Sequence, residues 1–211
     1  MKNGFYEEHR GIYRLRVPFE NLYTSVFLVV GDDGAYLVDC ATTRADVEEY
    51  ILPSLGSLGY SLTDLRGIVL THRHGDHAGG LPYILERAPQ LAVICESREL
   101  FPDVITYPMS GHTVDGIGVL DLRCGTLISG DGLQGAGVDK YRCFTEDPAA
   151  YTETLERIKA DPRIENVLFS HAYEPWNSDR ADGRAAVLNC LEACLDYIAD
   201  GQFIFSKGET R

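Results

Sequence analysis

Apolar and polar positions alternate from Ile12 to Val17, and Thr24 to Val30 is a run of β-branched and aromatic residues. Both patterns predict strands. Gly31-Asp32-Asp33-Gly34 is a turn and Ala35 to Val38 a return strand, so the second and third strands form a hairpin. Thr42 or Thr43 can cap a helix that starts near Arg44 and places Val47, Ile51, Leu52 and Leu55 on one side. Pro53 is expected to kink or end it. Gly67 to Leu70 predicts a buried strand that runs directly into Thr71-His72. Leu81, Ile84 and Leu85 have helical spacing, Pro89 stops that helix, and Leu91 to Cys95 predicts a further buried strand. Val119 to Leu122 and Thr126 to Ser129 flank Arg123-Cys124-Gly125 as a second hairpin. Pro148 starts a helix bearing Tyr151, Leu155 and Ile158. Val167 to Phe169 predicts a strand leading to Ser170-His171, and Ala185 to Ala199 a long helix. Strands and helices alternate through both halves, with no linker, low-complexity tract or solenoid repeat. The pattern predicts one α/β domain over residues 1–211, with helices covering sheets.

Composition narrows the class. The 211 residues are 45% hydrophobic and 24% charged, which excludes a disordered chain or a coiled coil. The longest apolar run, Val26 to Val30, is far too short to span a bilayer. The first residues lack the apolar core of a secretory signal, so a cytoplasmic location is expected and no membrane partner. The formal charge of −13 disfavours a phosphate backbone as ligand, and no nucleic-acid partner is expected. Six cysteines without a Cys-x-x-Cys pair are expected to be reduced and buried as small apolar residues. Cys190 and Cys194 share a helix face, as core packing or as a metal or redox pair.

The chemistry concentrates in histidine. Three of six fall in His72-Arg73-His74-Gly75-Asp76-His77, directly after a predicted buried strand. A loop there can turn several side chains toward one point, and Gly75 lets it fold tightly. Imidazole and carboxylate donors together suit zinc, iron or manganese. His112 follows Ser110-Gly111, Asp131 lies between Gly130 and Gly132, and His171 follows a predicted strand. Five of the six histidines and two aspartates thus sit at strand-to-loop junctions, which a single site at one sheet edge explains. His9 stands apart and reads as a surface or packing residue.

The ordered series Asp39, His72-x-His74-x-Asp76-His77, His112, Asp131, His171 resembles the signature of the metallo-β-lactamase superfamily. The resemblance implies an αββα sandwich, two mixed sheets flanked by helices, with two metals at one sheet edge. It implies that His72, His74 and His112 hold the first metal. Asp76, His77 and His171 hold the second, and Asp131 bridges both. Asp39 looks like the family's first-motif aspartate, a support for ligands. Three protein ligands per metal and one shared carboxylate leave positions open for water and substrate, which marks a catalytic site. Two metals would lower the pKa of a shared water to give a hydroxide at neutral pH. Asp76 is then both ligand and orienter of the nucleophile.

The branch of the superfamily follows from the same residues. β-Lactamases of this fold usually place cysteine or another residue where Asp131 stands. Flavodiiron members carry Glu at the position of His74, so the histidine favours zinc, two per chain, with iron or manganese as alternatives. Glyoxalase II-type thioesterases resemble the ligand pattern but add a helical region, whereas only residues 172–211 follow His171 here. Residues 78–111 leave little room for a substrate-covering segment, which suggests an open pocket and a small substrate. Tyr141, Tyr173 and Trp176 are pocket candidates, and the glycines at 130, 132, 135 and 137 suggest a pliant rim. Two readings stand for Tyr173: it packs its loop, or its hydroxyl binds a substrate carbonyl beside the metals. The expected activity is zinc-dependent hydrolysis of a small ester, lactone or thioester. Phosphodiester hydrolysis at the same site and a non-hydrolytic metal sensor or scaffold are the alternatives.

Overall fold

A computed structural model describes residues 4–20, 22–133, 143–173, 178–201 and 203–205. The chain divides into two compact units, residues 1–95 and 96–211.

The first unit is built on a mixed sheet of β1 (Tyr6–His9), β2 (Ile12–Phe19), β3 (Leu22–Gly31), β4 (Gly34–Val38), β5 (Leu65–Val69) and β6 (Ala92–Ile94), in chain order. The first four strands run antiparallel, as the short turn at Asp32-Asp33 requires. β4, β5 and β6 run parallel, because helices connect them. Alternate residues Leu15, Val17, Val26, Leu28 and Leu37 pack against Val47, Ile51, Leu55 and Ile84 of the helices. The intervening residues Ile12, Phe27, Val29, Tyr36 and Val38 are buried as well.

Thr43 caps α1 (Arg44–Asp46) in a reciprocal capping box with Asp46. Pro53 neither ends nor breaks the helical run. Val47–Ile51 forms a π-helical turn, closed by the Leu52 N–H on the Val47 carbonyl, and α2 (Leu52–Ser57) continues with the proline in its first turn. A proline ring collides with the carbonyl four residues back in a regular α-helix, and the wider turn carries the chain past it. After β5 come α3 (Gly75–Ala78) and α4 (Leu81–Arg87). β6 corrects the expectation of a buried strand: it is the sheet edge, with Ala92 and Val93 exposed.

The second unit carries a mixed sheet ordered β13 (Ser178–Ala181), β12 (Asn166–Tyr173), β10 (Thr126–Ile128), β9 (Ile117–Asp121), β8 (Val104–Pro108), β7 (Glu99–Phe101). β10 and β12 are parallel and the other neighbours antiparallel. α5 (Pro148–Ala160), capped by Asp147, and α6 (Arg184–Ala199) cover one face through Tyr151, Leu155, Ile158, Val187 and Leu191. A separate parallel pair joins β11 (Cys143–Thr145) to β14 (Phe203–Phe205). Cys190 and Cys194 lie in this core, so packing is the reading that holds for them. Cys95 and Cys124 are only half-buried, contrary to the expectation for all six. Among the described residues no helix is long and apolar enough to cross a membrane.

Candidate metal centre

In each unit the donors gather at the carboxyl ends of parallel neighbours, where adjoining loops diverge and leave a crevice. In the first unit these strands are β4 and β5. Asp39 and Ala41, just past β4, both adopt the left-handed backbone region, with φ of 64° and 57°. Such residues cost about 1–3 kcal/mol each and persist only where surrounding bonds hold them. Those bonds are present. The Asp39 N–H donates to Val69 O at 2.9 Å, Cys40 N–H to His77 O at 2.7 Å, and Gly80 N–H to Ala41 O at 3.2 Å. A Cβ on Gly79 would stand 1.8 Å from Thr42 O, so only glycine lets the α3–α4 junction lie against this loop. His72 follows β5 directly, His74 precedes α3, and Asp76 and His77 lie within it. Part of the expected loop is therefore a helical turn.

Asp39 is buried and organises this half of the donors. One carboxylate oxygen accepts the Thr71 N–H at 2.8 Å. The other accepts the Thr71 hydroxyl at 2.8 Å and faces His77 Nδ1 at 2.8 Å. A carboxylate only accepts, so His77 carries its proton on Nδ1 and a lone pair on Nε2. The Thr71 hydroxyl directs its one proton at Asp39, so it accepts from His72 Nδ1 at 3.1 Å. His72 too is left with a lone pair on Nε2. That nitrogen lies 3.0 Å from His74 Nδ1, and His77 Nε2 lies 3.2 Å from Asp76 Oδ2. The last pair sets an imidazole lone pair against an acceptor-only carboxylate, an arrangement that a cation between them makes favourable. Cys40, next to Asp39, is no competing donor: burial first, and then the Asp39 charge, hold its thiol pKa well above the usual range.

The second unit shows the same logic. Asp131 follows β10, His171 lies near the end of β12, and His112 follows β8. His171 is thus part of its strand rather than beyond it. All three are buried. His112 Nδ1 faces the Phe144 carbonyl at 2.9 Å, which fixes its proton there and its lone pair on Nε2. The two oxygens of Asp131 face different histidines: Oδ2 is 3.7 Å from His112 Nε2, and Oδ1 is 3.3 Å from His171 Nε2. The first distance is too long for a hydrogen bond and leaves room for a shared ion. The carboxylate can thus serve two ions at once. The donor chemistry therefore fits transition metals in both units.

Tyr173 ends β12, and its side chain lies outside the described residues, as do Tyr141, Trp176 and glycines 135 and 137. Two supporting groups escaped sequence reasoning. Thr71 had a signal, its place between the strand and His72. The Phe144 carbonyl had none, since every residue carries one.

Residues 20–103 match the family described as the metallo-β-lactamase superfamily. Solved structures agree in fold. The metallo-β-lactamase FIM-1 from Pseudomonas aeruginosa superposes with a TM-score of 0.70 at 18% identity, over 94% of this chain and 95% of that one. A metallo-β-lactamase from Erythrobacter litoralis gives 0.66 at 22% identity, over 93% and 96%. Residues 20–103 are thus similar to the metallo-β-lactamase superfamily, and the chain has the fold of these solved structures. Its two mixed six-stranded sheets with their helices have the metallo-β-lactamase fold expected from the sequence. The curated relatives found by sequence carry a different name. The hydroxyacylglutathione hydrolase of Actinobacillus pleuropneumoniae serotype 5b is 31% identical over 138 residues, 58% of this chain and 57% of that protein. The enzyme of the same name from Vibrio parahaemolyticus is 31% identical over 144 residues, 59% and 55%. The chain thus spans a little over half the length of these curated relatives. The family match includes Asp39 and the His72–His77 cluster and ends before His112.

Proposed function

We propose that this chain is a binuclear zinc hydrolase of a small thioester, with small carboxylic esters and lactones as related substrates. The donors would divide into His72, His74 and His112 around one ion and Asp76, His77, Asp131 and His171 around the other, with Asp131 shared. The observation that carries this reading is Asp131, whose oxygens each address a different histidine. The thioester class is supported by the relatives named hydroxyacylglutathione hydrolase.

Bound zinc would supply a hydroxide at neutral pH and polarise the acyl oxygen. Asp39 holds the Nδ1 protons of His77 and, through Thr71, of His72, so neither ring can turn or exchange tautomers cheaply. Phe144 O does the same for His112. Asp76 is less buried than His77, so its carboxylate is the one within reach of an attacking water, to orient it and accept its proton. Tyr173, two residues past His171, would donate its hydroxyl to the acyl oxygen. Tyr173→Phe should then lower kcat by roughly 10²-fold with metal content unchanged. A change below threefold in steady-state kinetics rejects that role.

The substrate reading is tested by turnover of the zinc-loaded protein on a matched thioester, lactone, ester and bis-phosphodiester. The thioester is expected to lead the phosphodiester by at least about tenfold in kcat/KM, a difference of about 1.4 kcal/mol in transition-state stabilisation. Preference for the phosphodiester would overturn the reading, and tight metal binding with no turnover would favour a sensor.

A further inference from the structure

We propose that the short strand β14 (Phe203–Phe205) is a latch that sets the metal-binding state of His112, acting through β11. The inference rests on the metal reading above. β11 belongs to neither six-stranded sheet, and β14 is its one strand partner among the described residues. The register pairs Cys143 with Phe203, Phe144 with Ile204 and Thr145 with Phe205. The same three-residue strand and the turn after it grip the loop that carries His112. Phe144 O holds His112 Nδ1 at 2.9 Å. The Thr145 hydroxyl donates to Gly111 O at 2.6 Å, and the Glu146 N–H donates to the same carbonyl at 2.8 Å. The Val114 N–H donates to a Glu146 carboxylate oxygen at 2.9 Å. Gly111, with φ of 130° and α5 backbone 2.4 Å from where its Cβ would lie, has no freedom to compensate if this segment moves.

A three-residue strand standing alone is marginal. Its position therefore depends on its partner, and with it the carbonyl that fixes the His112 tautomer. Loss of β14 would let Phe144 O drift, free the Nδ1 proton and let the ring populate the tautomer protonated on Nε2, the nitrogen that faces Asp131. β14 is thus a positioning element, a strand in the second unit distant in sequence from every donor it serves.

The test is Ile204→Pro in the full chain, with Ile204→Val as the conservative control and Ile204→Gly as a milder lesion. Proline removes a backbone N–H and restricts φ in a strand of only three residues, whereas valine keeps the backbone intact. Histidine ring NMR on the metal-free protein should show a slowly exchanging Nδ1 proton for His112. It should be lost in the proline variant, weakened in the glycine variant and retained with valine. Zinc titration should find one of two ions weakened about 10–100-fold by proline and the other unchanged. If His112 shows no protected Nδ1 proton in the unsubstituted protein, the latch is wrong whether or not the variants fold. It is equally wrong if proline leaves that proton and both ions untouched, or weakens both ions equally alongside a general loss of stability. An unsubstituted protein that keeps the protected proton but binds no metal would sink the metal reading instead.

Discussion

Asp131→Ala is expected to lower turnover by at least about 10³-fold while the protein stays folded. The carboxylate addresses His112 through one oxygen and His171 through the other, so on the proposed reading its loss would remove a ligand from both ions together. Two-metal sites owe several kcal/mol of transition-state stabilisation to the placement of both ions, and about 4 kcal/mol corresponds to three orders of magnitude. The fold does not depend on this side chain: Asp131 follows β10 and lies outside the apolar cluster of its unit. Kinetics, zinc content and thermal melting on one preparation separate the two effects. Near-full turnover with alanine would end the bridging role. A collapse in melting temperature would mean that the aspartate is structural.

Asp39→Asn is expected to have the next largest effect, and to have it without touching a metal. Asparagine tolerates the left-handed backbone at φ 64° as aspartate does, so the loop after β4 is not disturbed. Its oxygen can still accept the Thr71 N–H, now at 2.8 Å from Asp39 Oδ1. Its NH₂ group, however, faces His77 Nδ1 and the Thr71 hydroxyl, two donors in the parent protein. His77 relieves the clash by moving its proton to Nε2 and accepting at Nδ1, which would take its Nε2 lone pair from the proposed metal. His72, held through the Thr71 hydroxyl, loses its fixed tautomer as well, so affinity for both proposed ions should fall about 10–100-fold, with kcat falling in step. Asp39→Ala should do worse, because it strands buried donors at about 1–3 kcal/mol each and places a Cβ residue unsuited to αL in the loop. Zinc competition with a chromogenic chelator reads the affinity and urea denaturation the stability. An asparagine variant with parental zinc affinity would refute the orienting role.

Much of this was legible in the sequence because strong local signals agree with the fold. The His72–His77 cluster follows a strand whose apolar run is unmistakable, and the turn at Asp32-Asp33 leaves β3 and β4 no choice but a hairpin. Thr43 and Asp46 announce their helix through side-chain chemistry that needs no tertiary partner. What escaped is what only tertiary context decides. Leu91 to Cys95 has the composition of an interior strand, and nothing local says that β6 is last in its sheet. Pro53 carries the signal of a break, yet a π turn absorbs it. β11 and β14 are three residues each, too short for a periodic pattern, and they pair across nearly sixty positions of chain as numbered. The donor types were readable at His112 and His171, but the tautomers were not. Those depend on Asp39, Thr71 and the Phe144 carbonyl, which reach the rings only through the fold.

On the proposed reading seven donors, His72, His74, Asp76, His77, His112, Asp131 and His171, would hold two metal ions. The most direct measurement is zinc titration of the chelator-stripped protein, with elemental analysis of the purified chain alongside. Two ions per chain are expected, with both half-sites required: His72→Ala should cost one ion and His171→Ala the other. A stoichiometry well below one in metal-replete buffer, or two ions that both survive the two substitutions, would contradict it.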